Sequence, residues 1–371
     1  MLRLLKRFVD CESPTDSKTA VDHFAHVVAA EWQRRRAKVE WLTTKDVGNH
    51  LRITWPAKAV GRPENSDRHN QILVLGHMDT VYEIGTIKNM PFHVSRGRAF
   101  GPGVFDMKGG LVIALFAFDA LARADWLPRR HIVFLSTSDE ETGSKSSRGI
   151  IETEARRSIA VLVLEPAGGP EGRLKTRRKA TGTAEVVITG RAAHAGLDPG
   201  AGVNALHELA LQLARLMQLN DSRRGITVNP TIAQGGTRSN VIPAEARLTL
   251  DLRAETLADM RRIERNLKSL RPILPGARVK TEGGFSRPPL ERRASAALFS
   301  HASKLADQLG FSLGECLAGG GSDGNFTAAL GVPTLDGLGA VGEGPHSPDE
   351  QVIVSALPER AALLAALLAT L

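Results

Sequence analysis

The chain has 371 residues, enough for two domain cores. It contains no apolar run near the roughly 20 residues a membrane helix needs, and its two cysteines, Cys11 and Cys316, exclude a cysteine-built metal site. The net charge of +8 lies in short clusters such as Arg34-Arg35-Arg36, Arg177-Arg178-Lys179 and Arg261-Arg262, and only 5% of residues are aromatic, so the charge reads as a solvated surface and not as a nucleic-acid interface.

From the N-terminus, Met1-Leu-Arg-Leu-Leu-Lys-Arg breaks its apolar residues with charge, so no signal-peptide core is expected and a cytoplasmic location with reduced thiols follows. Gly61 to Asn70 is polar and reads as a loop. The runs Ile72–Leu75, Ile132–Leu135 and Ala160–Leu164 read as buried strands, with an apolar helix over Gly109–Arg123 between the first two. This alternation predicts an α/β domain around a mostly parallel sheet.

The pattern changes near Lys175. Thr183–Thr189 alternates as a half-exposed strand, and Val203, Leu206, Ala210, Leu213 and Met217 recur at helical spacing. Ala246, Leu248, Leu250 and Leu252 alternate with Arg247, Thr249, Asp251 and Arg253, and Asp259–Leu270 forms a charged amphipathic helix. From about Pro288 apolar runs such as Val332–Leu335 return. The expected organisation is a main domain, 1–174 and 288–371, interrupted by a smaller α+β domain, 175–287, whose exposed edge strand could pair with a second subunit.

Acidic or His-bearing motifs follow each buried strand: Gly76-His77-Met78-Asp79, Ser138-Asp139-Glu140-Glu141 and Glu165-Pro166. The carboxyl ends of strands are where open α/β sheets bind ligands. A fourth motif, Gly103-Val-Phe-Asp106-Met-Lys-Gly-Gly110, precedes the apolar helix. Carboxylates gathered on one rim repel one another unless a cation sits among them, and carboxylate oxygens with imidazole suit zinc and neighbouring divalent ions such as Co²⁺ or Mn²⁺. Of the adjacent acids Glu140 and Glu141, one can hold a metal while the other holds a water. The competing reading of that pair is two acids favoured by a helix N-terminus.

These stretches, with Ala193-His-Ala-Gly196, Gly319-Gly-Gly-Ser-Asp-Gly324 and Pro345-His-Ser347, resemble the M20 metallopeptidase family, and most its glutamate carboxypeptidase (carboxypeptidase G2-like) branch. The motifs occur in the family's order across nearly the whole chain. The resemblance implies a zinc-peptidase type catalytic domain, a ferredoxin-like inserted domain serving as dimerisation or lid domain, and two Zn²⁺. It implies that Asp106 bridges the metals and that the Asp106–Met107 peptide is cis. His77 and Glu165 then complete one site, and Glu141 and His346 the other. Asp79 would hold the His77 ring by its other nitrogen, Glu140 would be the general base, and His194 would donate to the oxyanion.

A substrate carboxylate needs fixed donors. Arg253, on the polar face of its strand, can grip one with two bonds, though a solvated sheet-face Arg would look the same. By resemblance Asn240 and Arg287 join it; a turn Asn is the rival reading of Asn240. Backbone amides around Gly320 could hold an anion, or the segment could be a glycine turn with a helix cap. His301, His23 and His26 read as surface residues. In the family, Glu at the position of Glu165 goes with carboxypeptidases and deacylases and Asp with aminopeptidases. The expected activity is hydrolysis of an amide beside a free carboxylate. Its substrate is a small peptide or an N-acyl amino acid, with a carboxypeptidase preferred over an acetylornithine- or succinyl-diaminopimelate-type deacylase. A homodimer with no nucleic-acid or membrane partner is expected. A non-catalytic binding protein on the same fold would be marked by loss of Glu140 or a ligand, and none is lost.

Overall fold

A computed structural model describes residues 1–55, 70–126 and 129–371. The loop expected over Gly61 to Asn70 lies, except for Asn70, outside the described residues. Two compact units are present: residues 1–177, 291–318 and 322–371 form the first, and residues 178–290 with 319–321 the second.

The first unit is built on a six-stranded mixed sheet. Its strands are β1 (Lys38–Leu42), β2 (His50–Trp55), β3 (Gln71–His77), β4 (His131–Thr137), β5 (Ser158–Val163) and the short strand Thr334–Leu335, in the order β1-β2-β4-β3-β5 and then Thr334–Leu335. The last four neighbours run parallel, and β1 and β2 add antiparallel on one side. Successive side chains of β3 point to opposite faces. Ile72 and Val74 enter the core beneath helices α1 (Lys18–Arg34) and α2 (Gly109–Arg123) and the C-terminal helix Ala356–Thr370. Leu73 and Leu75 enter a second core with Val133, Val163, Ile151 and Ala155. With both faces covered the strands must be apolar throughout, which is why they read as runs and not as alternations. Each such side chain contributes about 1.5–3 kcal/mol by leaving water.

The second unit runs β6 (Ala180–Thr189), α3 (Ala205–Met217), β7 (Thr227–Gly235), β8 (Glu245–Ala254), α4 (Leu257–Lys268) and β9 (Arg278–Arg287). Its strands pair antiparallel in the order β7-β8-β6-β9, the split β-α-β layout of ferredoxin-like units. One sheet face, with Val186, Ile188, Leu248 and Leu250, packs on Leu209, Leu216, Ile263 and Leu267 of the two helices.

The helix face expected on α3 is corrected. Ala205, Glu208, Leu209, Gln212 and Leu216 are buried, whereas Leu206 and Met217 are about two-fifths exposed. The reason is polar: Glu208 accepts the backbone N–H groups of Ile273 and Leu274, and Gln212 donates to Glu208 and to the Arg271 carbonyl. Satisfying that loop turns two polar residues inward and leaves an apolar pair outside. Among the described residues no helix is long and apolar enough to cross a membrane.

Candidate metal centre

β3, β4 and β5 deliver their following residues to one rim. His77 is the last residue of β3, Glu140 and Glu141 form a tight turn three residues past β4, and Glu165 lies two past β5. Asp106 comes from the loop before α2, and the Asp106–Met107 peptide is cis. Gly110, in the first turn of α2, makes the close approach possible: a Cβ there would collide with the Leu164 carbonyl oxygen, next to Glu165. His346 sits in the loop before the strand Gln351–Ile353 and adopts φ +62°, the left-handed region that non-glycine residues rarely enter.

The geometry divides at Asp106. Its Oδ1 lies 3.2 Å from His77 Nε2 and its Oδ2 lies 3.4 Å from His346 Nε2. His77 Nε2 is also 3.4 Å from Glu165 Oε1, and His346 Nε2 is 3.3 Å from Glu141 Oε2. Ligand atoms of His77, Glu140 and Glu165, and of His77, Asp106 and Glu141, fall within 4.8 Å of one another. Glu141 Oε1 is buried without a hydrogen-bond partner among the described residues, an orphan that a cation would satisfy. Imidazole nitrogens and carboxylate oxygens, an orphan among them, fit divalent metal ions.

The electrostatics point the same way. Burial alone would push His77 down, but Asp106, Asp79 and Glu165 drive it well above its ordinary value. Asp106 and Glu141 raise His346 to about 10. Burial works against the Asp106 charge, yet His346 and His77 hold it far below the usual carboxylate range, whereas burial pushes Glu141 up. The cluster draws positive charge strongly.

Asp79 meets the other nitrogen of His77 more closely through its main chain than through its carboxylate. His77 Nδ1 donates to the Asp79 backbone carbonyl at 3.0 Å, while the carboxylate oxygen is 3.5 Å away. The carboxylate instead accepts from the backbone N–H of Glu140 and Glu141 and from the Thr15 hydroxyl. Asp79 therefore fixes the His77 tautomer through its main chain and the Glu140–Glu141 turn through its side chain.

Residues 73–370 match the peptidase family M20/M25/M40. The chain is 35% identical over 378 residues, 99% of its own length and 88% of the relative's, to carboxypeptidase G2 of Pseudomonas sp. (strain RS-16). The chain belongs to the M20 peptidase family. Acetylornithine deacetylase of Salmonella arizonae (strain ATCC BAA-731 / CDC346-86 / RSK2980) is 31% identical over 199 residues, covering 49% of this chain and 50% of that protein. The crystal structure of aminopeptidase PepT from Bacillus cereus ATCC 10987 superposes with a TM-score of 0.81 at 21% identity, covering 99% of this chain and 97% of that one, a likeness of fold. This M20 chain is accordingly a hydrolase of the peptidase and amidohydrolase kind.

The remaining candidate residues of the M20 chain lie in the second unit. His194 is exposed; its Nδ1 accepts the N–H groups of Gly196 and Leu197. It pairs across a bridge with Val241, and the Asn240 carbonyl accepts from Ala195, so His194 and Asn240 occupy neighbouring loops. Beside them a shallow depression of about 520 Å³ is lined by Ala195, Asn204, Arg238 and Ser239, among others. Arg253 is gripped by Asp251 through two bonds of 2.9 and 2.8 Å and reaches the Gly319 carbonyl at 3.5 Å. Arg287 is buried beneath Gly321, where a Cβ would press on its Cδ. The Gly320 and Gly321 carbonyls accept from Arg178. The segment's helix, Gly324–Ala329, is only six residues long, with the Asp323 carboxylate accepting from Thr137 and Ser144 hydroxyls. His301 bonds Thr370 and His26 packs on Trp41, away from the cluster.

Two residues beside the cluster escaped the sequence reading. Glu350 is buried, accepts the N–H groups of Gly103, Phe105 and Asp106, and burial pushes it to about 7. Tyr82, the chain's one tyrosine, donates to Glu350 and lies 3.0 Å from the Ser347 carbonyl. Their only sequence signal is proximity to motifs: Glu350 is four residues past His346, and Tyr82 three past Asp79.

Proposed function

We propose that this M20 chain is a dinuclear zinc carboxypeptidase, releasing a C-terminal residue, glutamate among the candidates, from a small peptide. The observation that carries the proposal is Asp106, whose two carboxylate oxygens face two different imidazoles, each with its own further carboxylate. His77, Glu165 and Asp106 would hold one ion and Glu141, His346 and Asp106 the other. Two zinc ions bound there would acidify a water and polarise the scissile carbonyl. Glu140, in the same cluster as His77 and Glu165 and held through its backbone by Asp79, would accept a proton from the attacking water and return it to the leaving nitrogen. Glu165, by family resemblance, and the 35% identity to a carboxypeptidase favour this over an aminopeptidase.

The roles of His194 as oxyanion donor and of Asn240 and Arg287 as substrate-binding residues are proposed from resemblance, and those of Arg253 and Gly320 from a guanidinium on a strand's polar face and backbone amides in a glycine segment, each testable by its own substitution. A homodimer through the inserted unit is supported by the exposed edge strand β7 and by exposed Leu206, Met217 and Ile232. We place the enzyme in the cytoplasm.

The second reading, an N-acyl amino-acid deacylase, is favoured by the identity to acetylornithine deacetylase. The test is hydrolysis of a panel of α- and γ-glutamyl peptides and N-acyl amino acids by the zinc-loaded enzyme and by Glu140→Ala. Cleavage of the peptides with release of the C-terminal residue, lost in Glu140→Ala, supports the carboxypeptidase. Preference for N-acyl amino acids supports the deacylase, and full activity of a zinc-bound Glu140→Ala removes Glu140 as the base.

A further inference from the structure

Asp106 and His346 belong to different loops, far apart in sequence, yet an ion between them needs their separation fixed to a few tenths of an ångström. One group of atoms joins the two loops. Glu350 Oε1 accepts from the backbone N–H of Phe105 and of Asp106, both at 2.8 Å, and Oε2 accepts from Gly103 at 3.1 Å. Three amides of the Asp106 loop thus converge on one carboxylate. Glu350 ends the loop that carries His346, and its carbonyl accepts from Gly101, so both its ends are committed to the Asp106 loop.

The Tyr82 hydroxyl adds the third side. It donates to Glu350 Oε2 and lies 3.0 Å from the carbonyl of Ser347, the residue after His346. Tyr82 comes from the segment after β3, three residues past Asp79. The segment bearing His77 and Asp79, the loop bearing Asp106 and the loop bearing His346 are therefore cross-linked at one point by two side chains. Neither side chain belongs to an apolar core cluster, and neither joins the candidate metal-ligand groups. A buried carboxylate is costly unless its oxygens are satisfied, and here the Glu350 oxygens are met by Gly103, Phe105, Asp106 and Tyr82, all beside the candidate metal cluster.

We propose that Tyr82 and Glu350 are positioning residues that set the distance between Asp106 and His346 and so the affinity of the second metal position, the one shared by Asp106, Glu141 and His346. The inference rests on the dinuclear reading above. Loss of the Tyr82 hydroxyl frees the His346 loop while leaving His77, Glu165 and Asp106 in place. The second position weakens and the first is spared. Loss of the Glu350 charge releases the Asp106 amides and weakens both, because Asp106 serves both.

The test is zinc titration of metal-free protein against a chromophoric chelator, paired with cobalt titration followed by visible absorption, on wild type, Tyr82→Phe and Glu350→Gln. The wild type is expected to take up two ions. Tyr82→Phe should hold the first within about twofold and the second at least tenfold more weakly, the usual scale for residues that orient ligands, with an altered cobalt spectrum only at the second equivalent. Glu350→Gln should weaken both. If Glu350→Gln fails to fold, Tyr82→Phe, which removes one oxygen from a half-buried side chain, decides alone. Two ions bound by Tyr82→Phe with wild-type affinities would overturn the proposal, as would a lower Tm of its metal-free form with unchanged affinities, the mark of a purely structural role. A wild type that does not take up two ions would overturn the dinuclear reading itself and the positioning role with it.

Discussion

The Asp79 carboxylate accepts the backbone N–H of Glu141 at 3.1 Å. The same carboxylate takes the N–H of Glu140, while the Asp79 carbonyl takes His77 Nδ1. One residue thus holds a ring and a turn that both face the metal cluster. Asp79→Ala leaves the Glu140 and Glu141 N–H groups and the Thr15 hydroxyl without their carboxylate acceptor. Zinc affinity and kcat/KM should each fall about ten- to hundredfold, as read by chelator competition and steady-state hydrolysis. Unchanged values for both would remove Asp79 from the support of the cluster.

Metal removal should be visible in stability as well as in activity. A chelator is expected to abolish hydrolysis and lower Tm, and zinc should restore both. At a free-ion concentration about 100 times Kd the stabilisation is about 2.7 kcal/mol. A Tm indifferent to zinc in differential scanning calorimetry would count against the cluster as a metal centre.

Gly110 tests the packing that seats Glu165. Gly110→Ala places a methyl group against the Leu164 carbonyl oxygen and close to Met107 Cε. Backbone cannot yield as a side-chain tip can, so α2 must shift. We expect about 1–3 kcal/mol of destabilisation in denaturant unfolding, together with weaker zinc binding. Gly149→Ala, where a Cβ meets nothing within 4 Å, is the control and should cost nothing measurable.

His50 carries a pH dependence. Burial holds it below its ordinary 6.5, against the pull of Asp139 and Asp79. Its Nδ1 faces the Ser138 N–H and hydroxyl, and its Nε2 faces the Ser146 hydroxyl. The folded state binds this proton less readily than the unfolded chain. The stabilisation is therefore fully present above about pH 6.5 and is lost as the pH falls below it. Tm should drop between about pH 7 and about pH 5, and the drop should be shallower in His50→Gln. Parallel profiles would show that His50 is not the source.

Arg253 is already engaged by Asp251, so a substrate carboxylate would have to share it. Arg253→Ala should raise KM for carboxylate-bearing substrates about ten- to hundredfold and change kcat less. Amidated analogues should show little difference between wild type and variant. Equal sensitivity of both substrate classes would assign Arg253 to folding of its sheet.

How much of this was legible in the sequence depended on what each residue bonds. Ile72–Leu75 reads as a buried strand because both faces of β3 are covered, and His77 and Glu165 are conspicuous because they follow such runs. The α3 face was misread because Glu208 and Gln212 turn inward to serve a loop more than 50 residues away, which no periodicity encodes. His346 lies in a left-handed loop conformation with no pattern around it and could be placed only by resemblance. Glu350 bonds distant main-chain amides and Tyr82 bonds Glu350, and a sequence records nothing of which group a distant side chain will meet. The units divide at 177/178 and 290/291, and residues 319–321 join the second unit, a return of the chain that composition does not mark.

The division of the Asp106 carboxylate between two imidazoles has a consequence for how the centre fills. On the dinuclear reading proposed above, a single anion counted by both positions would make their occupancies interdependent. With two ions held as proposed, the first to arrive would orient the shared carboxylate for its neighbour but also screen part of its charge. Uptake should follow two unequal stepwise constants, and starvation for metal should empty the protein in sequence, passing through a half-loaded form.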